Sequence, residues 1–458
     1  MDGSGNCHRS GRGAGLRWRL RLLRRIAILG SMAVLTWGGC AIWNSVKPLP
    51  AGTHVASLPA RLAESQVDFI DDHSQRGAAL KREIEAIGRA EQTIVLDQCP
   101  LARELAEQLL LRKRQRPNLK IMLVTDPRNE VYGGTPAQTL STLESAGIIV
   151  ARTRLERMRD SNPLYSSLWR LSMGWWSDPF DEVPGEVTLI SSLRRRNFKA
   201  NQRQLLVADD GAGGWTSIVM SAAAGNGGGS ANAALEIRGH LARDIVASEL
   251  GIAAWSTDDD RLPAAPPMMS RGVGTIDARF LTEGAIHTAL RDVIAAAGNG
   301  DSISVVVRAF DDRQLIHAML RAAARGAKLQ LLLDRDLPGT QAAAGELVHN
   351  DAGNIEVRWQ TGFARSEARY ALIRHRGDVW INLGSANFTR RGLDDMNLEA
   401  GIELHMPARA APARAAADLF ARAWSSAAVY ADHADESQET YWRYRLAEAT
   451  GLTMFQAE

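Results

Sequence analysis

Cysteine is scarce in this chain, with three in 458 residues: Cys7, Cys40 and Cys99. No disulfide framework and no Cys-x-x-Cys metal pair can be built from them, so packing must hold the fold together. Neither sign of charge dominates either. Lys and Arg number 54 against 52 Asp and Glu, a formal net charge of +2. Binders of the phosphate backbone carry a clear basic excess, so no nucleic-acid partner is expected. Histidine offers no metal pattern: His240, His287, His317, His349 and His405 lack ligand spacing and lack a Ser or Cys partner. Each reads as an ordinary surface or helix histidine, and neither metal nor cofactor is expected. What is present is globular: 45% hydrophobic and 23% charged residues. The length exceeds what one compact core usually holds, so two fused lobes are expected.

The basic residues crowd the N-terminus, at Arg9, Arg12, Arg17, Arg19, Arg21, Arg24 and Arg25. From Ile26 to Val46 no side chain is charged, which makes roughly 30 Å of helix, enough to cross a bilayer. Arginines before a span keep the N-terminus cytoplasmic and place the rest of the chain outside. A cleaved signal peptide is the competing reading, since Gly38, Gly39 and Cys40 supply small residues. A lipoprotein signal has Leu three positions before its Cys, where this chain has Trp37. The expected division is a basic cytoplasmic segment 1–25, an anchor 26–46, a Pro-bearing linker 47–60, a first lobe 61–260, a linker 261–272 and a second lobe 273–458.

The lobes come from an internal duplication. Residues 92–97 read as a strand, 101–114 as a helix and 120–126 as a second strand. About 208 residues later the pattern recurs as strand 302–307, helix 312–325 and strand 328–334. Continuous apolar runs separated by amphipathic helices predict βαβ units in a mixed, largely parallel sheet flanked by helices. Each copy then produces a strand and a loop bearing Ser and Asn: Ser221 and Asn232 in the first, Ser385 and Asn387 in the second. Short polar side chains beside glycine-exposed backbone donors suit an anion.

The run Gly384-Ser385-Ala386-Asn387-Phe388, followed by Asn397-Leu398-Glu399, resembles the loop after the second signature of the phospholipase D superfamily. The segments 126–134, 160–165 and 197–201 resemble its bacterial, cardiolipin synthase-like branch. The resemblance implies an α/β protein of two duplicated lobes facing across a central cleft, after an N-terminal transmembrane helix. It implies a phospholipid or phosphodiester ligand and a place in the bacterial inner membrane, with the body outside the cytoplasm. It also implies a mechanism. One signature His attacks phosphorus, the other protonates the leaving alcohol, and two Lys with the loop asparagines hold the phosphoryl oxygens. Ser221, Asn232, Ser385, Asn387, Asn397 and Glu399 become phosphate-binding candidates.

The signature His-x-Lys-x4-Asp is degenerate here. Gln202 stands for His and Gln204 for Lys in the first copy, where only Asp209 matches. In the second, Glu367 stands for His, Arg369 for Lys and Arg374 for Asp. Alternation along a strand puts Gln202 with Gln204 and Glu367 with Arg369, so the four should meet in the cleft. A carboxamide neither attacks phosphorus nor shuttles a proton, and Arg369 should pair with Glu367. A scaffold without turnover is therefore expected. The alternative is an active phosphatidyltransferase using Glu367 and Arg369.

Two further segments carry expectations. Residues 162–176, rich in Leu, Trp and Tyr, read either as a cap on the cleft or as a flap meeting lipid. The helix expected from 411 to 430 should be followed by aromatics at 441–444 that pack back on the body.

Overall fold

The structure, a computed structural model, describes residues 11–72, 77–127, 135–172, 199–223, 233–267, 272–349, 353–360 and 367–430, with 442 and 446. Helix α1 (Gly11–Val46) takes in the uncharged stretch and the arginines before it. From Trp18 to Val46 it is long and apolar enough to cross a membrane, and almost none of it is buried. Strand β1 (Ala60–Leu62) follows.

The first lobe runs β2 (Val67–Asp71), α2 (Ala78–Arg89), β3 (Thr93–Asp97), α3 (Arg103–Gln115), β4 (Lys120–Thr125), α4 (Ala137–Ser145) and β5 (Ile149–Arg152). It continues through α5 (Pro163–Ser172), β6 (Leu205–Asp209), β7 (Trp215–Met220), β8 (Ala233–Arg238) and α6 (Leu241–Ser256). The second lobe repeats the order with β9 (Ile276–Thr282), α7 (Gly284–Ala296), β10 (Ser302–Val306), α8 (Arg313–Ala324), β11 (Lys328–Asp334), α9 (Pro338–His349) and β12 (Ile355–Gln360). Then come β13 (Tyr370–His375), β14 (Asp378–Gly384), α10 (Arg390–Leu393), β15 (Ala400–Pro407), α11 (Ala411–Ser426) and β16 (Ala428–Val429).

Among the described residues the first sheet is ordered β2-β8-β7-β6-β3-β4-β5 and the second β1-β9-β15-β14-β13-β10-β11-β12-β16. Parallel pairing is confined to β3-β4-β5 and β10-β11-β12. This corrects the expectation of a largely parallel sheet. The signature strands β6 and β13 turn back as hairpins into β7 and β14, and a hairpin can only pair antiparallel. The register superposes the copies. Ile94 pairs with Ala208 as Ile303 pairs with Ile373, which makes Gln204 equivalent to Arg369 and Asp209 to Arg374.

Both sheets are apolar on both faces, and each face finds a cover. The inner faces meet in one shared core, with Val95, Val207 and Val219 from the first lobe and Leu372, Ile381 and Ile402 from the second. Helices α2 and α3 cover the outer face of the first sheet, and α7 and α8 that of the second. Each buried aliphatic side chain is worth about 1.5–3 kcal/mol over leaving it in water, so the lobes are bound to each other by more than a rim.

The chain between α1 and β2 is also used. Val55 N donates to Thr282 Oγ1 at 2.7 Å and Ser57 N to Phe280 O at 2.9 Å. β1 then pairs with β9. The segment expected as a linker, and the first residues expected in the first lobe, extend the second lobe's sheet. At the other end Trp442 is 60% exposed, contrary to the packing expected there. Residues 443–445 lie outside the described ones.

Candidate functional site between the lobes

The signature segment of the first lobe is clasped by the second. Asn201 forms a parallel bridge with Leu398. Gln202 N donates to Leu398 O at 2.9 Å, and Leu398 N donates to Ala200 O at 2.8 Å. Asn397 Oδ1 accepts from Ala200 N at 3.0 Å. A residue expected to meet phosphate thus spends its carbonyl oxygen holding the lobes together.

In the first lobe Asp209 ends β6 and accepts from the backbone N–H of Glu91, Gln92, Thr93 and Gly211. It fastens the turn into β3 and takes no part in the cleft. Gln204, in the Lys position, is buried, and its Nε2 donates to Cys99 O at 2.8 Å. Ser221 Oγ accepts from Ala233 N at 3.1 Å. Asn232 lies outside the described residues.

The second lobe repeats the serine contact: Ser385 Oγ accepts from Ala400 N at 3.1 Å and donates to the Glu399 carboxylate. Both serines therefore pin a loop to the neighbouring strand. Gly384 is required beside Ser385, because a Cβ there would fall 2.2 Å from Ala400 O. Asn387 Oδ1 accepts from Ala309 N at 3.2 Å. Glu367 stands with its carboxylate 3.6 Å from Arg369 Nη2 and 3.7 Å from Arg308 Nη1. Arg369 also donates to Ser385 O, and Arg308 lies 3.5 Å from Asp334. Two guanidiniums thus face two carboxylates, and the pocket is charge-balanced. Arg374, in the Asp position, is exposed.

No curated protein sequence matches the chain. The family model for the cardiolipin synthase, PLD-like domain matches residues 290–424. Among solved structures the chain is similar to the phosphatidylserine synthase of Haemophilus influenzae Rd KW20. That TM-score is 0.57 at 11% identity, covering 85% of this chain and 95% of that one. The family match lies within the second lobe, and the likeness to the synthase is one of fold. Polyphosphate kinase from Porphyromonas gingivalis aligns with a TM-score of 0.48 at 12% identity, covering 84% of this chain and 53% of that chain. The phospholipase D family member Nuc from Salmonella typhimurium aligns with a TM-score of 0.29 at 16% identity, over 34% of this chain and 99% of its own.

Behind the clasped segment of the first lobe lies a network that motif reading passed over. Arg203, between Gln202 and Gln204, points to the opposite face and is fully buried. Its Nη1 donates to Glu249 at 2.7 Å and Ser248 at 2.9 Å, and its Nη2 donates to Glu283 at 2.7 Å and Gly52 O at 3.0 Å. Gly52 has φ +82°, and a Cβ on it would fall 2.2 Å from Ser248 O. Asp97 stands against Glu249 and is held by Asn201 Nδ2 at 2.8 Å. Burial pushes both carboxyls up, against the pull of the Arg203 guanidinium. One guanidinium thereby joins α6, the start of α7 and the segment after α1. The available signal was a charged residue two positions before a strand buried on both faces.

His287 departs from the expectation of an ordinary helix histidine. It is buried on α7 with Nε2 3.1 Å from Asp312 and Nδ1 3.3 Å from Asp394. These three residues are close enough to hold a metal ion among the described residues, but both ring nitrogens already face a carboxylate. Burial lowers its pKa, yet the bonds to Asp312 and Asp394 raise it to about 9. The cluster is an imidazolium between two carboxylates, a poor cation ligand.

Proposed function

We propose that the chain is a membrane-anchored phospholipase D-like protein whose inter-lobe cleft holds a phosphodiester without cleaving it. One observation carries the reading. Three of the four groups standing where the resemblance puts a general base or a paired cation are already engaged, Gln204 with Cys99 O, Glu367 with two arginines and Arg369 with Ser385 O, and the fourth, Gln202, is a carboxamide. Carboxamides cannot carry a proton near neutral pH, and losing a nucleophile that acts within a unit removes several orders of magnitude of rate.

Retention of a ligand is supported by Arg369 Nε, a buried N–H without an acceptor among the described residues. Such a donor, with Arg308 beside it, suits a phosphoryl oxygen. The anchor reading rests on the apolar part of α1 and the arginines before it, which support a body outside the cytoplasm. The full chain in phosphatidylglycerol vesicles is expected to release no headgroup alcohol above the protein-free rate. Release that disappears on Gln202→Ala or Glu367→Ala would overturn the proposal.

A second reading is favoured by the 27% exposure of the Glu367 side chain. Its carboxylate would attack phosphorus, expel the alcohol and leave an acyl phosphate, later hydrolysed. Mass spectrometry during incubation with substrate would find that adduct on Glu367, and its absence while alcohol is released would end this reading.

A further inference from the structure

Along α5 the leucines Leu164, Leu168 and Leu171 fall at the spacing of a single apolar face. On a surface helix that face turns to the core, and here it turns away. The three leucines are 38%, 55% and 47% exposed. The polar face is the one held inward. Ser166 and Ser167 are buried, and Arg170 Nη2 reaches Asp160 Oδ1 at 3.1 Å. Asp160, itself buried, also binds Lys199 and Ser166. Charges, not apolar packing, fix this helix to the body.

Its other neighbour is α1. Trp37 Nε1 donates to Leu164 O at 2.8 Å, and Asp160 N donates to Asn44 O at 2.9 Å. These contacts are about 10 Å apart along α1. Trp37 lies only about 18 Å along the helix from Arg25, whereas a hydrocarbon core is about 30 Å thick. With Arg25 at the cytoplasmic boundary, Trp37 is inside the apolar layer and Leu164 sits beside it.

We propose that α5 is embedded in the outer leaflet next to α1, with Leu164, Leu168 and Leu171 against lipid acyl chains. The inference rests on reading α1 as the membrane span, and it adds a second point of insertion. Embedding also aims the cleft. Arg390 Nη2, seven residues before Asn397, donates to Ser161 O at 2.9 Å. Lys199, in the Asp160 cluster, precedes Ala200, which bonds Asn397. The rim of the inter-lobe site is therefore tied to the embedded helix, and a phosphodiester could enter from the lipid side.

The test uses the full chain in vesicles of phosphatidylglycerol and phosphatidylethanolamine, with Cys7→Ser, Cys40→Ser and Cys99→Ser as background. A fluorophore is placed by Leu168→Cys, by Leu29→Cys in α1, and by Val429→Cys on the exposed edge of the body. The Leu168 label is expected to be quenched by acyl-chain nitroxide lipids as the Leu29 label is, and to lose most of the iodide quenching seen at Val429. Iodide access at Leu168 equal to Val429, with Leu29 still quenched by lipid, would overturn the inference alone. Shielding of Leu168 from both quenchers would mean a protein cover and would also overturn it. If Leu29 escapes the lipid nitroxides, the anchor reading falls with it.

Discussion

In the first lobe Asp209, at the end of its signature strand, accepts from the backbone of Glu91, Gln92 and Thr93 in the facing turn. In the second lobe the equivalent strand runs into exposed Arg374, and the carboxylate sits on the facing turn instead. There Asp301 accepts from Gly298 N at 2.8 Å and pairs with His375 at 2.7 Å. The same junction is closed in both lobes from opposite sides. The carboxylate that fastens this junction thus comes from the strand in the first lobe and from the turn in the second. Gln204, Glu367 and Arg369 differ in kind from this fastener, since their side chains turn to Cys99 O, to two arginines and to Ser385 O.

The comparison is broken most forcefully at Arg203, whose counterpart in the second lobe is the buried Ala368. Arg203→Met strands two buried carboxylates and is expected to cost about 3–5 kcal/mol in denaturant unfolding. A cost under about 1 kcal/mol would mean the network does not hold the lobes. Asp209→Ala and Asp301→Ala should each cost about 2–3 kcal/mol, because the first leaves backbone donors unpaired and the second frees Gly298 N and the His375 ring. Arg374→Ala should stay within about 0.5 kcal/mol. Equal effects at all three positions would contradict this assignment of the fastener.

Each lobe also buries one titrating group on its corresponding helix. Burial raises Glu83 on α2 to about 8, and His287 on α7 is raised to about 9. Both bind their proton more tightly when folded, so both make stability fall as pH rises. The Glu83 contribution declines between about 4.5 and about 8, and the His287 contribution between about 6.5 and about 9. Melting temperature across this range should fall, Glu83→Gln should flatten the lower window, and His287→Gln should remove on the order of 2 kcal/mol from the upper one. The smallest effect is in the cleft. Glu367→Gln releases two guanidiniums and should tighten binding of an anionic phosphodiester several-fold, read by titration calorimetry.

Strands such as Lys328–Asp334 were legible in the sequence because buried strands are written as unbroken apolar runs. Their pairing was not, since direction is set by the hairpins at β6-β7 and β13-β14. The signature positions could be located by motif spacing alone. Their partners could not, because Asn397 bonds a residue of the other lobe and Asn387 a neighbouring turn. An asparagine that binds phosphate and one that ties backbone look the same in a sequence. Arg203 stayed hidden for a related reason: a lone arginine reads as surface until its two carboxylates, on α6 and at the start of α7, are seen around it.

The most direct measurement is a phosphorus-31 spectrum of glycerophosphoglycerol followed over days with the membrane-reconstituted chain. The account predicts a diester resonance that broadens saturably, sharpens on adding inorganic phosphate, and yields no phosphomonoester. A growing phosphomonoester signal that vanishes with Glu367→Ala would contradict it.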